Sequence, residues 1–131
     1  MVVDTSALVA MILREGERAI FEDLVLRSPA AVMSVVSVVE TMIVLMNKRR
    51  GPEAARLDET VEALRIDVRG VDSKQGAYAR QAFMQYGRGQ ASAALNFGDC
   101  FAYALAKARD DTLLFKGDDF LKTDIVPAWR P

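Results

Sequence analysis

Residues 1–10 read MVVDTSALVA, and the junction at Asp4 decides the fold. Val2 and Val3 are β-branched and suit a strand. Asp4, Thr5 and Ser6 all suit a helix N-cap, and the apolar run behind them continues as a helix. The same alternation extends outward along the chain. AAVMS (30–34) is a second strand before a long helix, VVSVVETMIVLMNKRR (35–50), that stops at Gly51-Pro52. IDVRGV (66–71) is a third strand before the helix DSKQGAYARQAFMQYG (72–87), and DTLLFKG (111–117) is a fourth before a short helical turn, DDFLKT (118–123). GERAIFEDLVLRS (16–28), with Ala19, Ile20, Leu24 and Leu26 near helical spacing, PEAARLDETVEALR (52–65) and FGDCFAYALAKAR (97–109) are further helices. RGQASAALN (88–96) reads as a loop or short turn, and DIVPAW (124–129) as an edge strand. Strands alternating with helices, without a hairpin signal, predict a parallel sheet covered on both faces: an α/β fold.

With 131 residues the chain forms one domain, 1–131, and has no repeat or linker. Its 51% hydrophobic and 27% charged content is that of a globular protein, with mean hydropathy +0.09. Histidine is absent, which excludes a Ser-His-Asp triad, a Cys-His pair and imidazole acid–base chemistry. A single cysteine, Cys100, excludes an internal disulfide and a structural zinc site, and suits a reducing cytoplasm. Residues 1–10 lack the basic leader of a signal peptide, and Ala30 to Met46 is too short and too interrupted to span a bilayer. A net charge of −1 and a pI near 5.5 argue against coating nucleic acid by bulk attraction, but not against binding it locally through metal ions.

Most of the 18 acids decorate solvated helix faces, among them Glu15, Glu17, Glu22 and Asp23 on one and Glu53, Asp58, Glu59 and Glu62 on another. Four positions resist that reading. Asp4 stands at the carboxyl end of a parallel strand, where ligands of α/β sheets bind; helix capping is the plain alternative. Glu40 lies in the most apolar helix, on the face of Val36, Ile43, Val44 and Asn47, where an unpaired carboxylate needs a cation; a buried arginine partner is the alternative. Asp99 opens a helix beside Gly98, again with capping as the alternative. Asp118-Asp119 follow the fourth strand, and one of them can merely cap the next turn. Together the four place acids where they cannot all stay ionised without cations. Oxygen donors alone select a hard ion, Mg²⁺ or Mn²⁺. Such an ion activates water and neutralises a leaving oxygen, a route to phosphodiester hydrolysis that needs no histidine.

These motifs resemble the PIN domain and, within it, the toxin nucleases called VapC, over essentially the whole chain. The resemblance lies in a hydrophobic strand then Asp (MVVDTSALVA), a Glu in an apolar helix (SVVSVVETMIVL), an N-x-G-D element (LNFGDCFAYALAKA) and a strand followed by acid, Phe and Thr-Asp-Ile (LLFKGDDFLKTDI). It implies that Asp4, Glu40, Asp99 and Asp119 are metal-site and catalytic carboxylates, with Asp119 preferred to Asp118. Ser6 would line the site and Asn96 would brace the Asp99 turn. It also implies a three-layer α/β/α sandwich with about five parallel strands, a homodimer, Mg²⁺-dependent cleavage of RNA and a VapB-type antitoxin. Lys48, Arg49, Arg50, Arg88 and Lys116 are candidate phosphate contacts, with stabilisation of a helix end an equal reading for the first three.

Three other functions fit less well. A haloacid-dehalogenase-type phosphatase needs a second Asp where Ser6 stands, and a receiver-type phosphoacceptor needs an acid pair that is missing. A non-catalytic interaction module of the same fold remains the non-enzymatic alternative.

Overall fold

The computed structural model describes residues 1–90 and 94–131; part of the loop expected over 88–96 lies outside the described residues. The elements follow in the order β1 (Val2–Val3), α1 (Thr5–Ile12), α2 (Arg18–Arg27), β2 (Val32–Ser34), α3 (Val35–Asn47), α4 (Gly51–Ala55), α5 (Leu57–Ala63), β3 (Asp67–Arg69), α6 (Ser73–Tyr86), α7 (Phe97–Arg109) and β4 (Leu113–Leu114). The four strands form one parallel sheet in the order β3-β2-β1-β4. About five strands were expected. DIVPAW supplies only a single parallel bridge, Leu113 to Pro127, in which Leu113 N–H donates to Val126 O and Ala128 N–H to Leu113 O.

Strand alternation divides the core. Val2, Val32 and Leu113 point to one face and pack with α6 and α7, whereas Val3, Met33 and Leu114 point to the other and pack with α1, α2 and α5. The result is three layers. Strand order reverses at β1, so the carboxyl ends of β1 and β4 open into the crevice where such sheets bind ligands.

Several helices differ from their expected form. In α2 the buried pair is Phe21 and Val25, four residues apart, while Ile20 and Leu26 are exposed. Phe21 receives the chain's end edge-on, its ring centroid 5.3 Å from that of Trp129. The helix expected over 52–65 breaks at Arg56 into α4 and α5, and the second piece turns Leu57 and Val61 into the core. α3 ends at Asn47; Arg49, not Gly51, takes the left-handed conformation with φ 58°, and Arg50 N–H closes back on Leu45 O at 2.8 Å. DDFLKT is a pair of turns, closed by Leu121 N–H to Asp118 O and Thr123 N–H to Phe120 O.

The largest departure concerns α3. Its core-facing stripe is Ser37, Thr41 and Leu45, and Val35, Val39, Met42, Ile43 and Met46 are exposed. Thr5 and Thr41 both donate their hydroxyls to the Ser37 carbonyl, at 3.1 and 2.8 Å, binding α1 against α3. The Ser37 hydroxyl itself is buried without a partner. A buried unsatisfied hydroxyl destabilises, so Ser37→Ala is expected to stabilise the fold by about 1 kcal/mol, read as a higher urea midpoint at unchanged m.

Candidate active site

Asp4 is placed by backbone pairing. Its N–H donates to Leu114 O at 2.9 Å, which fixes the end of β1 against β4. Its side chain then caps α1: Oδ2 accepts from Ser6 N–H at 2.9 Å and from Ser6 Oγ at 2.6 Å. Ser6 Oγ in turn accepts from Lys116 N–H, just beyond β4, at 2.9 Å. One hydroxyl therefore carries a relay across the crevice and orients the carboxylate. The capping alternative is thus true, yet it uses only half of the group. Asp4 is 2% exposed, and its Oδ1 is buried without a partner.

Asp99 repeats this division. Asn96 caps α7, accepting from Asp99 N–H at 2.8 Å, and Asp99 Oδ2 accepts from Asn96 N–H at 2.9 Å, a reciprocal capping box. Asp99 is accordingly the third residue of the helix, and Asn96 braces it as the resemblance implied. Among the described residues the other Asp99 oxygen takes no protein hydrogen bond.

Glu40 comes from α3, which crosses the crevice. It is half-buried rather than sunk in an apolar face: Val36 and Val44 flank it partly buried, while Ile43 and Asn47 are exposed. No arginine pairs with it among the described residues. Its carboxylate lies against the backbone of Gly98, where a Cβ at position 98 would land on it. A side chain at 98 would displace that carboxylate, so the glycine leaves Glu40 its place at the start of α7.

Asp119, exposed in the turn after β4, completes a cleft of about 220 Å³ that also holds Asp4, Ser6, Glu40, Asn96 and Asp99; Asp118 does not line it. All four expected acids therefore meet in one place. Burial, opposed by the Ser6 hydrogen bonds and reinforced by the charge of Glu40, pushes Asp4 up to about 6. Burial and then the charges of Asp4, Asp119 and Glu40 push Asp99 up to about 7, against the pull of the Asn96 N–H.

No cation of the chain answers these acids among the described residues. Lys116 Nζ is held by Glu15 and by Glu17, the latter at 3.0 Å, so these two acids are latches and not merely a solvated face. Arg50 is engaged by Glu53 at 2.8 Å, and Lys48, Arg49 and Arg88 stand exposed outside the cleft. As they stand, no three acids among the described residues converge closely enough to enclose one ion. The donor set nonetheless fits a hard divalent cation: oxygens only, two buried carboxylates each tethered by one oxygen, and an orphaned Asp4 Oδ1. The Gly98 approach and the Lys116 amide were not legible as site features, because both depend on how distant elements pack.

A parallel sheet with this crevice of acids defines a class, and the chain belongs to it: the model of the PIN domain family matches residues 1–126. Within that family it is of the VapC type. It is 42% identical over 126 residues to ribonuclease VapC of Mycolicibacterium smegmatis, covering 96% of this chain and 98% of that one. It is 43% identical over 130 residues to ribonuclease VapC42 of Mycobacterium tuberculosis, covering 98% of each. Among solved structures, VapC20 of Mycobacterium tuberculosis, described as a Sarcin-Ricin loop cleaving toxin, superposes with TM-score 0.78 at 16% identity over 95% of each chain. VapBC2 of Rickettsia felis, bound to a DNA fragment from its promoter, gives 0.74 at 15% identity over 96% of this chain and 94% of that one. At such identities these likenesses show the fold.

An acid whose folded pKa is raised is harmless to stability below its unfolded value, and the cost accrues as pH rises through the folded value. For Asp99 that window runs from its ordinary 3.8 to about 7. In chelator, Asp99→Asn is therefore expected to melt several degrees above the parent at pH 8, with the gap closing as pH falls toward 5. Asn retains an acceptor for the capping box, so thermal scans at both pH values isolate the charge.

Proposed function

We propose that this chain is a Mg²⁺-dependent endoribonuclease, with Mn²⁺ as a substitute ion, and the toxin of a toxin–antitoxin pair. The observation that carries the reading is the buried Asp4 Oδ1, left without a partner at a residue that lines a cleft of acids to which no Lys or Arg contributes among the described residues. A bound divalent ion supplies activated water and neutralises charge on the leaving 3′ oxygen. The chain's own part is positional. Asp4, Glu40, Asp99 and Asp119 would hold the ion or ions; Ser6 locks the Asp4 rotamer and Asn96 that of Asp99. In-line attack by water on phosphorus leaves a 5′-phosphate product.

The names of the full-length relatives support RNA as substrate. A VapB-type antitoxin is supported by two solved relatives, VapBC2 of Rickettsia felis and a toxin–antitoxin complex from Klebsiella pneumoniae. A homodimer is supported by the exposed apolar stripe of α3. Among the described residues no helix is long and apolar enough to cross a membrane, and a buried free Cys100 suits the cytoplasm.

RNA cleavage is expected in Mg²⁺ or Mn²⁺ and not in chelator. Asp4→Asn and Asp99→Asn should each lower it by about 100-fold or more, and Ser6→Ala, acting through Asp4, by about 10- to 100-fold. Mn²⁺ should raise the melting temperature of the parent but not of Asp4→Asn. Cleavage in chelator, or full activity of either Asn variant, overturns the reading; a folded chain with no Mn²⁺ response favours the interaction module.

A further inference from the structure

α7 opens on Phe97, which is 75% exposed. One turn later Phe101 meets its ring edge-on, with centroids 5.0 Å apart and planes at 64°. Gly76, Ala79, Arg80 and Phe83 of α6 form the other wall of a groove of about 450 Å³, twice the volume of the acid cleft. The groove is apolar apart from Arg80, and Phe83 along it is also exposed. Its size is that of a site for a small planar ligand.

Groove and acid cleft share a single helical turn. Successive helix residues are rotated by about 100°, so Phe97 and Asp99 leave the first turn of α7 on opposite shoulders. Gly98 between them abuts Glu40. A single strand whose phosphate lies against the acids has the exposed ring at the start of α7 as an adjoining surface for a neighbouring nucleotide.

We propose that this groove seats a nucleobase of the substrate strand, stacked on Phe97 beside Phe101 and Phe83, with Arg80 at its edge. The proposal rests on the ribonuclease reading above and adds to it how the strand is held. The lining, three phenylalanine rings with one arginine, has the chemistry that stacks a nucleobase. The chain carries a net −1, its cleft is acidic, Lys116 is latched by Glu15 and Glu17, and Arg50 is paired with Glu53. Lys116 and Arg50 are thereby withdrawn from phosphate contact, and the strand needs a hold that is not ionic. Base stacking on aromatic rings with an arginine at hand is the sequence-tolerant, uncharged alternative by which proteins hold single strands.

The test compares a short oligouridylate with the matching abasic ribose-phosphate oligomer. Binding is read in Ca²⁺ and cleavage in Mn²⁺, for the parent, Phe97→Ala and Phe97→Trp. Phe97 is exposed, so Phe97→Ala should keep the parent's melting temperature and Mn²⁺ response. The expected result is a loss of roughly 5- to 100-fold in affinity and in kcat/KM for the oligouridylate. No further loss is expected on the abasic oligomer, and Phe97→Trp should restore the parent's values. A parent that does not prefer the base-bearing oligomer overturns the seat, as does equal loss on both oligomers. So does a Phe97→Ala variant that handles oligouridylate normally but changes oligomeric state, which would assign the groove to a second copy. A parent that shows the base preference but cleaves nothing in Mn²⁺ defeats the nuclease reading and leaves the seat standing. Normal cleavage by Phe97→Ala does the reverse.

Discussion

Repulsion among carboxylates that share a cleft is the constraint to which the other features answer. Ionised acids in a poorly solvated crevice push one another apart and lose hydration. The fold resists this with tethers that each use one oxygen: the Ser6 relay on Asp4 and the capping box on Asp99. Neither tether neutralises charge. Each fixes direction and leaves the second oxygen without a hydrogen bond among the described residues. The cations that might have collapsed the site into internal salt bridges are held elsewhere, Lys116 by Glu15 and Glu17 and Arg50 by Glu53. Repulsion is preserved by the architecture rather than relieved within it.

The parallel sheet supplies the geometry. Because strand order reverses at β1, the residue after β1 and the turn after β4 emerge side by side, joined by Asp4 N–H to Leu114 O and by Lys116 N–H to the Ser6 hydroxyl. α3 and α7 then deliver Glu40 and Asp99 from opposite layers. The Gly98 backbone is the surface against which the Glu40 carboxylate rests. A methyl group there would move Glu40, so the size of one side chain that is missing helps to fix the spacing of two that are present.

Much of this was legible in the chain because local and distant signals agree. Val2-Val3 followed by Asp4-Thr5-Ser6 has one sensible reading, and all four acids could be named from motif and position. What failed were inferences that treated hydrophobicity as a compass for burial. α3 is rich in Val, Ile and Met, yet it turns Ser37 and Thr41 inward, where the Thr5 hydroxyl ties α1 to the Ser37 carbonyl and the Thr41 hydroxyl bonds the same carbonyl within the helix. Ile20 and Leu26 looked as core-like as Phe21 and Val25, and only packing separates the two pairs. DIVPAW has the composition of a strand, yet it pairs with β4 only through the single bridge from Leu113 to Pro127. Short-range chemistry was readable; which face of an apolar helix meets the core was not.

The capping box of α7 has one more consequence. The amide proton of Asn96 is bonded to the same carboxylate that faces the cleft. Any change in the charge of Asp99, by protonation or by a ligand drawing on its free oxygen, must alter the acceptor strength felt by that amide. The backbone at the start of α7 is thus a built-in spectroscopic reporter. Its amide resonance follows the state of the cleft without a label, and it does so even when no reaction takes place.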